Sequence, residues 1–103
     1  MVQDGYKLIV SIVNKGKAGK VVDASHIAGA EGSTIIYGHD AAVRLMLGIS
    51  IEPEKEVILT IAKKDKVQAV MDALMEELEL NEPHKGIVFV ISLDQLAGLH
   101  EET

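Results

Sequence analysis

Apolar residues occupy both alternating sides of residues 6–13, YKLIVSIV: Tyr6, Leu8, Val10 and Ile12 on one side, Ile9 and Val13 on the other. A β-branched run that is apolar on both sides predicts a central strand. Past Asn14-Lys-Gly16 the period lengthens. Ala18, Val21, Val22, Ser25 and Ala28 recur at helical spacing and Gly29 stands as a stop, which predicts a helix over about residues 17–28. Gly32-Ser-Thr-Ile-Ile-Tyr-Gly38 reads as a second strand. Residues 38–56 follow without core periodicity, as one long loop punctuated by Gly48 and Pro53, and long loops in small domains are either functional or mobile.

Glu56 to Ala62 is a third strand, and Asp65 with Gln68 three residues on predicts a capping box for a second helix. That helix carries an apolar stripe of Val67, Val70, Met71, Leu74 and Leu78 and a solvated face of Asp72, Glu76 and Glu79. Residues 81–86 form a turn, Ile87 to Leu93 a fourth strand, and the tail from Asp94 to Thr103 a short, fraying helical turn.

A shift of 49 positions places Lys15, Lys17, Val21, Asp23 and Ala24 on Lys64, Lys66, Val70, Asp72 and Ala73. The chain is therefore a doubled βαβ. Two such units joined by right-handed crossovers predict an α+β, ferredoxin-like βαββαβ sandwich, with a four-stranded antiparallel sheet and two helices on one face. Val57, Leu59 and Ile61 oppose Ile58 and Ala62, and Ile87, Phe89 and Ile91 oppose Val88 and Val90. The sheet face away from the helices is thus apolar too. No chain remains to cover it, so self-association into a homo-oligomer is expected.

Composition narrows the chemistry. The 103 residues, 48% hydrophobic but only 3% aromatic, predict a single domain with an aliphatic core. A net charge of -6 without a basic stripe argues against nucleic acid as a partner. The lack of cysteine removes disulfides, thiolate metal sites and cysteine nucleophiles. The amino end lacks the pattern of a signal peptide, no segment is long enough to span a bilayer, and a cytoplasmic location is expected. No Ser or Thr sits in a nucleophile motif, so an enzyme is not expected. His39 and His84, with Asp40 or Glu52, have the right donor atoms for a divalent metal but no ligand spacing on one element, and no metal site is assigned. Glu52, Glu54 and Glu56 read as an exposed charged hairpin.

The opening KLIVSIVNKGKAGKVVDAS, the strand GSTIIYG before a long loop, GISIEPEKEVILTIA and the closing KGIVFVISLDQLAGL together resemble the PII family of nitrogen-regulatory signal proteins, in particular its small PII-like branch. The resemblance covers nearly the whole chain. It implies a homotrimer with inward-facing sheets, adenine nucleotide as effector in clefts between subunits, no other cofactor, and a protruding T-loop, here residues 38–56, that docks on a target enzyme or transporter. Carried over by position, Thr34 matches a threonine near the adenine, Gly38 the glycine at the T-loop base, and His84-Lys85-Gly86 the phosphate-holding B-loop. Lys63 is a further candidate for neutralising phosphate. The sequence departs from the family in lacking the glycine-aspartate-glycine-lysine B-loop, the arginines after the last strand, and a T-loop tyrosine for uridylylation. Within the loop, Val43, Arg44, Leu45, Met46 and Leu47 form a candidate partner-binding tip, with packing of these side chains back on the trimer as core the alternative. The alternatives are a divalent-metal-binding trimer resembling CutA, which would need His39 or His84 as ligands, and a structural interaction module whose loop binds without an effector.

Overall fold

The computed structural model describes residues 2–3, 5–37 and 55–99. The elements in order are β1 (Val2–Gln3), β2 (Tyr6–Asn14), α1 (Ala18–Ile27), β3 (Gly32–Tyr37), β4 (Lys55–Lys63), a 3-10 turn (Lys64–Lys66), α2 (Val67–Glu77), β5 (Gly86–Ser92) and β6 (Leu96–Ala97). Four strands form an antiparallel sheet in the order β3-β4-β2-β5, with the doubly apolar β2 in the interior as expected. The helices begin at Ala18 and Val67, in keeping with the internal repeat.

Strand parity sorts the side chains into two layers. Ile9, Val13, Ile58 and Ala62 meet Ala18 and Val21 of α1 and Val70, Leu74 and Leu78 around α2 in one buried cluster. Beneath the sheet, Val10 and Val57 centre a second cluster with Leu8, Ile12, Ile36, Leu59 and Phe89, and no helix among the described residues covers it. Ile87 is 62% exposed and Ile91 37% exposed at the β5 edge of this open face.

Helix α1 ends as its Gly29 predicts. Gly29 takes φ +108, its N–H donates to His26 at 3.0 Å and the Ala30 N–H donates to Ser25 at 2.9 Å, a Schellman closure. The same closure ends α2, where Glu79 and Leu80 donate to Glu76 and Met75. There a glutamate occupies the left-handed position, with φ 53.

Two local expectations are corrected. Asp65 and Gln68 make no capping box: Asp65 lies in the 3-10 turn, the helix starts from Lys66 without a side-chain cap, and Gln68 Nε2 donates instead to Asp72 at 2.8 Å. The tail does not coil at its start either. Leu96–Ala97 pairs antiparallel with Val2–Gln3, because an extended segment here satisfies backbone groups that an isolated helical turn would leave to water. Residues 100–103 lie outside the described residues, and no described helix is long and apolar enough to cross a membrane.

Candidate functional site

The antiparallel register brings three connections to one end of the sheet. Tyr37, the last described residue before the long loop, pairs with Glu56, one position inside Lys55 where the chain returns. Lys55 pairs with Asn14 at the end of β2, and the neighbouring Val13 pairs with Gly86 where β5 begins. Both roots of the 38–54 segment and the 81–86 turn therefore share one edge of the molecule.

Hydrogen bonds join these roots. The Asn14 carboxamide accepts from Lys55 Nζ through Oδ1 and donates through Nδ2 to the carbonyl of His84 at 3.1 Å. Glu56, only 8% exposed, turns toward the helices and accepts from the N–H groups of Gly16 and Ala18, both at 3.0 Å from Oε1. A carboxylate from β4 thus caps α1, whose own N-cap residue, Lys17, makes no side-chain bond. The reading of Glu56 as part of an exposed charged hairpin is corrected. Its parity with Ile58, Thr60 and Ala62 places it on the helix side of the strand, and the orphan N–H groups there stabilise it. Glu52 and Glu54 lie outside the described residues.

The turn has an unusual backbone. His84 takes φ +63, a region that costs a side-chain-bearing residue roughly 1 kcal/mol. Gly86 takes φ +142, and a Cβ there would stand 2.9 Å from the Ile12 carbonyl oxygen. Between them Lys85 faces Glu79 and Glu82 at 4.0 Å each, with its side chain 42% exposed. Long, solvated ion pairs contribute little, so the ammonium group remains available to a stronger anion. Asn14, Lys17, Lys20 and Lys85 line a concavity of about 90 Å³ with Glu77, Leu78 and Glu79. The carboxylates temper its positive charge.

The remaining candidates are dispersed within one chain. Thr34 is exposed on β3, on the open face, in register with Leu59, Val10 and Phe89. It lies on the edge strand opposite β5, three strand spacings or roughly 14 Å across the sheet. Lys63 closes the far end of β4, roughly 27 Å along the strand from Lys55, where its Nζ stands 3.9 Å from Glu31. Gly38 and the tip residues Val43, Arg44, Leu45, Met46 and Leu47 lie outside the described residues, as do His39 and Asp40. Among the described residues no group of three or more His, Asp or Glu side chains is placed to hold a metal. His26, on α1, borders a separate groove of about 270 Å³ with Asp23, Ala30 and Ser33.

Sequence reasoning missed Asn14, Lys55 and the capping role of Glu56. Parity offered a signal for Glu56. An asparagine before Lys-Gly reads as an ordinary turn residue, so Asn14 carried none.

The fold has known counterparts. No curated protein matches the chain at a significant level. A structure of CPII, a nitrogen regulatory PII-like protein from Thiomonas intermedia K12, bound to ADP, AMP and bicarbonate, matches with a TM-score of 0.67 at 17% identity, over 95% of this chain and 96% of that one. PII from Arabidopsis thaliana, bound to citrate, matches with a TM-score of 0.60 at 21% identity, over 88% and 79% of the two chains. The sequence model described as nitrogen regulatory protein P-II matches residues 6–103. With that match running from β2 to the carboxyl end, the chain belongs to the P-II family of nitrogen regulatory proteins.

Proposed function

We propose that this protein is a trimeric PII-type signal protein that acts by binding rather than catalysis. An adenine nucleotide occupies a cleft between subunits and biases residues 38–56 between conformations that do and do not engage a target enzyme or transporter. The observation that carries this reading is the convergence of both loop roots and the 81–86 turn at one end of the sheet, which gives a single ligand access to both. A nucleotide that contacts one loop conformation better than the other shifts the population by that difference in affinity. The binding of ADP and AMP by CPII supports the choice of ligand class.

A second copy is part of the site. Thr34 and the turn stand on opposite edges of one sheet, so subunits meeting edge to edge bring the adenine-side threonine of one near the turn of the next. The open apolar face supplies the reason to associate. In the turn, Lys85 and the backbone amides beside Gly86 hold phosphate in place of the family's usual glycine-rich sequence. The cytoplasm, where such nucleotides are abundant, is the proposed location.

Isothermal titration with ATP, ADP and AMP, alongside a light-scattering mass, tests the reading. Saturable binding of one nucleotide per subunit to a trimer is expected. Lys85→Ala should weaken that binding about tenfold while leaving the trimer intact, as loss of one charged phosphate contact would. Full affinity in Lys85→Ala would remove the turn from the site, and a trimer that binds none of the three nucleotides would overturn the choice of effector.

A further inference from the structure

Asn14 is the last residue of β2, and both ends of its carboxamide are used. Its Oδ1 accepts from Lys55, the first described residue beyond the 38–54 segment, and its Nδ2 donates to the His84 carbonyl at 3.1 Å. One side chain therefore spans from the root of the loop to the turn, across the two strand spacings from β4 to β5.

The two ends of this bridge differ mechanically. At Lys55 the backbone leads straight into the long loop, while Glu56 beside it is tied to Gly16 and Ala18. Lys55 itself is paired with Asn14 in the β2–β4 ladder, so its side chain adds a second tie between the same two residues. At the other end, His84 holds φ +63, and such conformations persist only where neighbours enforce them. The bond from Asn14 to the His84 carbonyl is one such constraint. Releasing it lets the turn relax and re-aims Lys85.

We propose that Asn14 is a positioning residue that relays between Lys55, at the root of β4, and the 81–86 turn, so that the state of one end sets the order of the other. The relay deepens the effector control proposed above, but it exists in the ligand-free protein and is testable there. An asparagine is required because the relay needs an acceptor and a donor on one short side chain. Asn14→Asp keeps an acceptor for Lys55 and loses the donor to His84. Lys55→Met removes only the partner on the loop side.

The test is amide hydrogen exchange, read by mass spectrometry on the ligand-free protein. Asn14→Asp and Lys55→Met should each speed exchange over residues 84–87 about tenfold, with β2 and β4 unchanged and the double variant no faster than either single one. No acceleration at the turn in Lys55→Met, or additive effects in the double variant, overturns the relay. Lys55→Met is a change at a partly exposed residue, so it decides the matter even if position 14 proves necessary for folding. Saturating ADP should slow exchange at residues 55–57 in the wild type but not in Asn14→Asp, and equal protection in both would also overturn the relay. Absence of ADP binding to the wild type instead overturns the nucleotide reading, and the ligand-free comparison still decides the relay.

Discussion

Among the described glycines, Gly86 has the least room for a side chain. Its φ of +142 is strained for any side chain, and a Cβ would meet the Ile12 carbonyl oxygen at 2.9 Å. Gly86→Ala is expected to cost about 2 kcal/mol or more, since backbone strain and a clash with a strand carbonyl act together. Urea titration would register the loss, and unaltered stability would mean that β5 enters the sheet differently. Glu79 presents the opposite case. It occupies the left-handed closing position of α2 at φ 53, and its ion pair with Lys85 is long and exposed. Glu79→Gly should therefore stabilise the fold by about 0.5–1 kcal/mol, because glycine adopts that conformation without a Cβ penalty. A lower midpoint in the same titration would show that the ion pair outweighs the strain.

Helix α1 depends on β4 for its start. Its own N-cap makes no side-chain bond, and Glu56 supplies the missing acceptor to Gly16 and Ala18 from across the fold. Glu56→Ala is expected to destabilise by about 2 kcal/mol, within the range for losing a helix cap and leaving the buried Ala18 N–H without a partner. Amide exchange at residues 16–21 should rise more than exchange in α2, and equal effects on both helices would show that the carboxylate acts on the core instead. Much at this scale was legible in the sequence. The period change at Asn14, the stop at Gly29 and the stripe from Val67 to Leu78 located both helices within about a residue or two of their observed ends, because apolar spacing reports the face that must be buried. Capping was less legible. The Asp65 and Gln68 spacing was present, but Gln68 found Asp72 one turn on and a 3-10 turn occupied the cap position.

In the whole molecule, the open sheet face dominates. Ile87 lies in register with Ile12, which pairs in turn with Val57 and so continues to Ile36, forming an apolar row across all four strands with its β5 end 62% exposed. On the trimer reading this row is covered by other subunits, so Ile87→Asp should lower the light-scattering mass toward that of one chain, a carboxylate being costly to bury without a partner. A trimer that persists in this variant would place the subunit contact elsewhere.

The sequence by itself determined the doubled βαβ order, the central place of β2 and the presence of two apolar sheet layers. These follow from the spacing of apolar residues, a local property that each strand or helix carries along its own length. It also showed that Gly86 stands in a turn ahead of a strand and that Lys85 precedes it. Only the tertiary structure decided which distant groups meet. The strand order placed the loop roots and the turn at one end and Thr34 on the opposite edge. It brought the Gly16 and Ala18 N–H groups to the Glu56 carboxylate, made Asn14 a bridge rather than a turn residue, and paired Leu96–Ala97 with Val2–Gln3. Such contacts satisfy individual donors and acceptors far apart in the chain. Hydrophobic periodicity carries no record of them, because it encodes which side of an element is buried and not which polar atom waits on the other side.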